Sequence, residues 1–85
     1  MYNIVFSSRG KKDYKIVQKS EYYAKVKTLI TLIQKTPFAF PPYFEQLLGQ
    51  NLYSRRINEQ HRLVYSVDVE NHIIFILSCW THYHD

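Results

Sequence analysis

The stretch SRRINEQHRLVY, residues 54–65, sets three arginines and a histidine into what reads as a β-hairpin. Leu52 to Ile57 and His61 to Asp68 are rich in Tyr, Ile, Leu and Val, and the polar Asn58-Glu59-Gln60 joins them. Successive side chains of a strand point to opposite faces. Tyr53, Arg55 and Ile57 therefore share one face and Leu52, Ser54 and Arg56 the other, while His61, Leu63 and Tyr65 oppose Arg62 and Val64. Arg55 and Arg56 cannot lie on one face of a regular strand.

Outward from the hairpin, Asp68-Val69-Glu70-Asn71 supplies the next turn, and HIIFILSCW, residues 72–80, is apolar on both faces, as a central strand covered on both sides would be. Towards the N-terminus, Tyr2, Ile4 and Phe6 alternate as a short strand. Ser7 and Ser8 offer N-cap oxygens for a helix running to about Gln18, with Gly10 weakening its first turn. From Ser20 to Thr36, Tyr22, Val26, Leu29, Ile30 and Ile33 fall on one helical stripe, leaving Lys25, Lys27, Gln34 and Lys35 for water. Pro37 ends that helix, and the breaker cluster PFAFPPYF, residues 37–44, divides the helical half from the strand half. The order β-α-α-β-β-β predicts an α+β fold: two N-terminal helices packed on a mainly antiparallel four-stranded sheet.

Eighty-five residues suit a single domain, residues 1–85, with one core that buries roughly 60–65% of the unfolded surface. With 46% hydrophobic and 21% charged residues, the composition is globular. No apolar run approaches the ~18 residues needed to cross a bilayer. MYNIVFSSRGKK lacks the layout of a signal peptide, and the lone Cys79 offers no internal disulfide, so a cytoplasmic protein is expected. The net charge of +4 favours anionic partners such as nucleic acid or an acidic protein, and the eight Tyr and five Phe can stack on unpaired bases as well as fill a core.

Against that background the arginines separate. Arg55 and Arg56 read either as solvated edge-strand charges that discourage aggregation or as anion contacts. Arg62 sits in a run whose other members look buried, so its guanidinium needs a partner: an internal carboxylate, Glu45 or Glu59, or a bound phosphate. Glu45, just after the proline-rich segment, suits a general base or a surface carboxylate. His82, directly after the last strand, suits a proton donor or acceptor, or else a frayed tail. Cys79, His82, His84 and Asp85 match no standard zinc spacing, and no metal or cofactor is expected. One Glu, one Arg and one His are the parts of a metal-free ribonuclease: a base for the 2′-hydroxyl, a cation for the phosphorane and an acid for the leaving 5′-oxygen.

The run SRRINEQHRLVYSV, followed by a strand ending in WTHYH, closely resembles the YoeB/Txe toxins of the RelE superfamily. TPF at residues 36–38 and FEQLLG at residues 44–49 also look like family features. The resemblance implies a RelE-like fold and the toxin of a type II toxin-antitoxin pair, a ribosome-dependent endoribonuclease that cuts translated mRNA in the A site. It implies Glu45 as general base, Arg62 as transition-state cation, His82 as general acid and Tyr83 as the aromatic that orients substrate, with Arg55 and Arg56 as RNA-backbone contacts. The implied partners are a YefM/Phd-type antitoxin with an acidic tail, the ribosome and its mRNA, a second copy in a homodimer, and operator DNA only through the antitoxin. Two departures stand out: Leu48 occupies the place of a lysine common in the family, and His84 and Asp85 follow Tyr83. The alternative is an RNA-binding or corepressor protein that keeps the fold without catalysis.

Overall fold

The computed structural model describes residues 1–47 and 51–80. β1 (Asn3–Phe6) leads into α1 (Ser8–Gln18) and α2 (Tyr23–Lys35), followed by β2 (Phe44–Gln46), β3 (Leu52–Arg56), β4 (Arg62–Asp68) and β5 (Ile73–Ser78). The strands form one sheet in the order β1-β5-β4-β3-β2. β1 runs parallel to β5, and the remaining pairings are antiparallel. The sheet is thus mixed and five-stranded rather than four-stranded; the added strand is the three-residue Phe44–Gln46 at the edge.

α1 begins where the sequence indicates. Ser7 is its N-cap: its Oγ accepts from the Gly10 N–H at 3.0 Å and donates to Leu77 O at 3.1 Å, so the cap also ties the helix to β5. Gly10 is there for space, not conformation, because a Cβ at this position would collide with Ile76 O. One turn on, buried Asp13 accepts from the Cys79 N–H at 3.0 Å, while Arg9 lies 3.5 Å from its other oxygen. The start of α1 is therefore bolted to the end of β5 by backbone and side-chain hydrogen bonds.

α2 presents Val26, Leu29 and Ile33 to the interior, with Tyr22 and Ile30 packed beside them, as the stripe predicts. These meet Leu63, Tyr65 and Val67 of β4 and Ile74 and Ile76 of β5, forming a core closed by Val17, Ile57 and Cys79. β4, not β5, is the middle strand. In β5 the odd-numbered Ile73, Phe75 and Leu77 stay half-buried, so its second face is apolar without being covered like the first. Two polar side chains set the turns between strands. Asn58 Oδ1 accepts from the N–H groups of Gln60 and His61 at 2.7 Å each, and Asp68 accepts from Asn71 N and Nδ2 at 3.1 and 2.8 Å. Among the described residues no helix is long and apolar enough to cross a membrane.

Candidate active site

Sheet register brings the polar residues of three strands together. Glu45 on β2 stands opposite Ser54 on β3, and Ser54 opposite Val64 on β4; two residues along, Arg56 stands opposite Arg62. Glu45, Ser54, Arg56 and Arg62 thereby share the face that alternates with core-directed Leu63 and Tyr65. Arg62 Nη1 donates to Ser54 Oγ at 3.3 Å and lies 3.6 Å from Glu45 Oε1. The Arg62 side chain is 24% exposed and that of Glu45 49%, so both ends of the pair meet solvent. A carboxylate and a guanidinium this close can act on neighbouring atoms of one phosphodiester, the first as a base and the second on phosphate oxygens.

Arg55 goes the other way. It is 1% exposed, and its guanidinium is held by oxygens: Nε donates to Tyr65 Oη at 3.1 Å, Nη1 to Pro42 O at 2.8 Å, and Nη2 to Ala39 O at 2.9 Å and Pro37 O at 3.2 Å. The Phe44 ring lies 4.7 Å from its central carbon, and Tyr65 Oη donates in turn to Pro37 O at 2.8 Å. Burial pushes the Tyr65 hydroxyl above its ordinary pKa, and the Arg55 hydrogen bond pulls against that rise. The expected RNA-backbone contact at Arg55 is accordingly corrected to an internal one: its donors fasten the 37–42 segment to β3 and β4. Arg56 is exposed, as a contact residue must be.

A groove of about 470 Å³ runs between Lys25 and Thr28 of α2, Pro42 and Tyr43 of the proline-rich segment, and the three arginines of the hairpin. One residue before Arg62 in sequence, the His61 ring stacks on Trp80 with centroids 3.9 Å apart and planes 11° from parallel. His82, Tyr83 and Leu48 lie outside the described residues. Among the described residues no three His, Cys, Asp or Glu side chains gather as a metal site. Sequence reasoning brought Glu45 and Arg62 forward and missed two participants, Ser54 and Trp80. Strand alternation had already set Ser54 on the Arg56 face; nothing local announced the Trp80 stack.

Two helices on a mixed five-strand sheet are also the architecture of the YafQ toxin of Escherichia coli in its complex with DinJ, which overlays with a TM-score of 0.79 at 19% identity over 96% of this chain and 94% of that one. At this identity the likeness is one of fold. Closer relatives fix the family. The YoeB/ParE toxin of Agrobacterium tumefaciens is 30% identical with a TM-score of 0.87, covering 95% of this chain and 99% of that one. A YoeB chain from a Staphylococcus aureus YoeB-YefM complex is 39% identical with a TM-score of 0.80, covering 98% and 99%. The family described as YoeB-like toxin of bacterial type II toxin-antitoxin system matches residues 6–83, and this chain belongs to it. No curated protein sequence gives a match.

Proposed function

We propose that the chain is a ribosome-dependent endoribonuclease that cuts translated mRNA in the A site. The observation that carries this reading is the Glu45–Arg62 pair at 3.6 Å, both side chains reaching solvent, built from residues 17 positions apart in sequence. In the reaction Glu45 takes the proton of a 2′-hydroxyl, whose oxygen attacks the adjacent phosphorus. Arg62 neutralises the charge that gathers on the phosphorane oxygens. The bond to the 5′-oxygen breaks, His82 supplies that oxygen with its proton, and Tyr83 orients the base. The products are a 2′,3′-cyclic phosphate and a 5′-hydroxyl, and the chain's own acid and base groups suffice without a metal or cofactor.

Arg56 serves as the backbone contact on the hairpin, while the internal Arg55 has no RNA role in this reading. A YefM/Phd-type antitoxin with an acidic tail is the proposed partner of the +4 chain, as YefM is of YoeB in the Staphylococcus aureus complex. Homodimerisation follows the YoeB dimer of the same organism, operator DNA is reached through the antitoxin, and the site of action is the cytoplasm.

The test is primer extension on ribosome-bound mRNA after induction. Codon-positioned cuts are expected from the wild type and are expected to vanish with Arg62→Ala and with His82→Gln. Growth arrest without cleavage would instead establish a non-catalytic RNA-binding protein.

A further inference from the structure

Arg55 has a consequence for its neighbours. Because it draws the carbonyls of Pro37, Ala39 and Pro42 inward, the backbone of this segment faces the core and its large side chains are turned out. Phe38 is partly covered, 43% exposed with its ring 5.0 Å from Tyr53 and 6.3 Å from Phe44. Phe40 and Tyr43 are 70% and 66% exposed and meet each other edge to face at 6.3 Å and 80°. Two adjacent aromatic rings left in water are costly unless something covers them. Tyr43 also lines the groove that contains Arg56, Arg62 and Lys25, and it stands two residues before Glu45.

Aromatic faces beside a cationic groove suit one kind of occupant, a single-stranded nucleic acid. Its phosphates meet the cations while its unpaired bases stack on the rings, without need of sequence. An acidic peptide would satisfy the cations, yet it brings no flat apolar faces for the rings. Resting on the reading of the site as an RNA-cleaving one, we propose that Phe40 and Tyr43 form a base-stacking platform that holds an unpaired base of the RNA next to the phosphate lying between Glu45 and Arg62. The rings are positioned by the internal Arg55 hydrogen bonds, so the platform is ready before RNA arrives.

The probe is a short single-stranded RNA carrying 2-aminopurine, with 2′-O-methyl groups so that it cannot be cut, used free and as the A-site codon of a ribosome-bound message. Stacking on an aromatic ring quenches its fluorescence. The wild type and Tyr43→Trp are expected to quench it. Phe40→Ala combined with Tyr43→Ala is expected to leave it bright and to weaken binding roughly 5- to 150-fold for each stacked base lost. Both positions are at the surface, and an unchanged melting curve would show that the double variant folds. Absence of quenching by the wild type in both formats overturns the platform. So does a double variant that quenches normally, including one that instead loses affinity for an acidic peptide. Cleavage of unmodified message is scored separately: quenching without cleavage keeps the platform and refutes the nuclease, whereas cleavage that is indifferent to both rings, with quenching intact, keeps the nuclease and refutes the platform.

Discussion

Arg55 and Tyr65 form one buried hydrogen-bonded unit: Nε of the first donates to Oη of the second at 3.1 Å, and both then donate to the same carbonyl, that of Pro37. Removing either partner leaves buried hydrogen-bonding groups short of a partner. Arg55→Ala should lower stability by about 3–5 kcal/mol, the range for breaking one side of a buried charged interaction. Arg55→Lys should recover little, since an ammonium on a flexible stem cannot reach carbonyls in a guanidinium's fork geometry. Tyr65→Phe should cost about 1–3 kcal/mol. Denaturant titration of the three variants checks the order; an Arg55→Ala protein as stable as the parent would refute the internal role.

The Glu45–Arg62 pair should behave in the opposite manner. Both side chains reach solvent, so the ion pair contributes no more than about 1 kcal/mol to folding. Arg62→Ala should leave the melting temperature nearly unchanged and cut the cleavage rate by about a hundredfold or more, the effect of losing a charge-assisted contact to the phosphorane. Glu45→Gln, which keeps the shape and removes the base, should show the same split. Equal losses of stability and rate would point to a structural pair instead.

Gly10→Ala offers a test in which helix propensity and packing disagree. Propensity alone favours alanine by about 1 kcal/mol in a helix interior. The new methyl would press on Ile76 O, which also accepts the Ser7 N–H, so the expected result is a net destabilisation of about 1–3 kcal/mol. A stabilised variant would mean that α1 can lift from β5 at little cost.

Alkaline titration should weaken the fold through Cys79. Burial, assisted by Asp13, pushes its thiol up from the ordinary 9.0 to about 12. A proton held more tightly in the folded state contributes stability that is fully present below pH 9 and is lost as pH rises towards 12. The half-buried Tyr14 and the buried Tyr65 hydroxyls, also raised chiefly by desolvation, act in the same direction. Unfolding midpoints measured between pH 8 and 11 should therefore fall. At pH 8 Ellman's reagent should modify Cys79 only at the rate of unfolding; a thiol that reacts like that of a free cysteine would disprove its burial.

Most of the architecture could be read from periodicity, since Val26, Leu29 and Ile33 mark α2 and the alternation of Leu63, Tyr65 and Val67 marks β4 without reference to anything distant. What could not be read depended on partners elsewhere. Phe44-Glu45-Gln46 is too short to alternate visibly and follows two prolines, and it becomes a strand only because β3 offers it an edge. The parallel pairing of β1 with β5 is chosen by how the two helices cross the sheet, which no local pattern encodes. At the site, alternation correctly separated Arg55 from Arg56, and the company of Tyr53 and Ile57 on the Arg55 face was a sign of burial outweighed by the usual preference of arginine for water. Glu45 and Arg62 were legible as chemistry, but their meeting needed the extra strand.

The parallel β1–β5 pair carries a last consequence, for the time course of folding. Among the described residues β1 has no other strand neighbour, and its first paired residue, Asn3, waits for Ile73, 70 positions later. Ser7, Gly10 and Asp13 wait likewise for Leu77, Ile76 and Cys79. Early synthesis can supply helices but not their seat, and long-range closure of this kind is slow. On a translating ribosome the N-terminal third thus stays unanchored until the final strand has been made, and the fold arrives in a single late step instead of growing from its beginning.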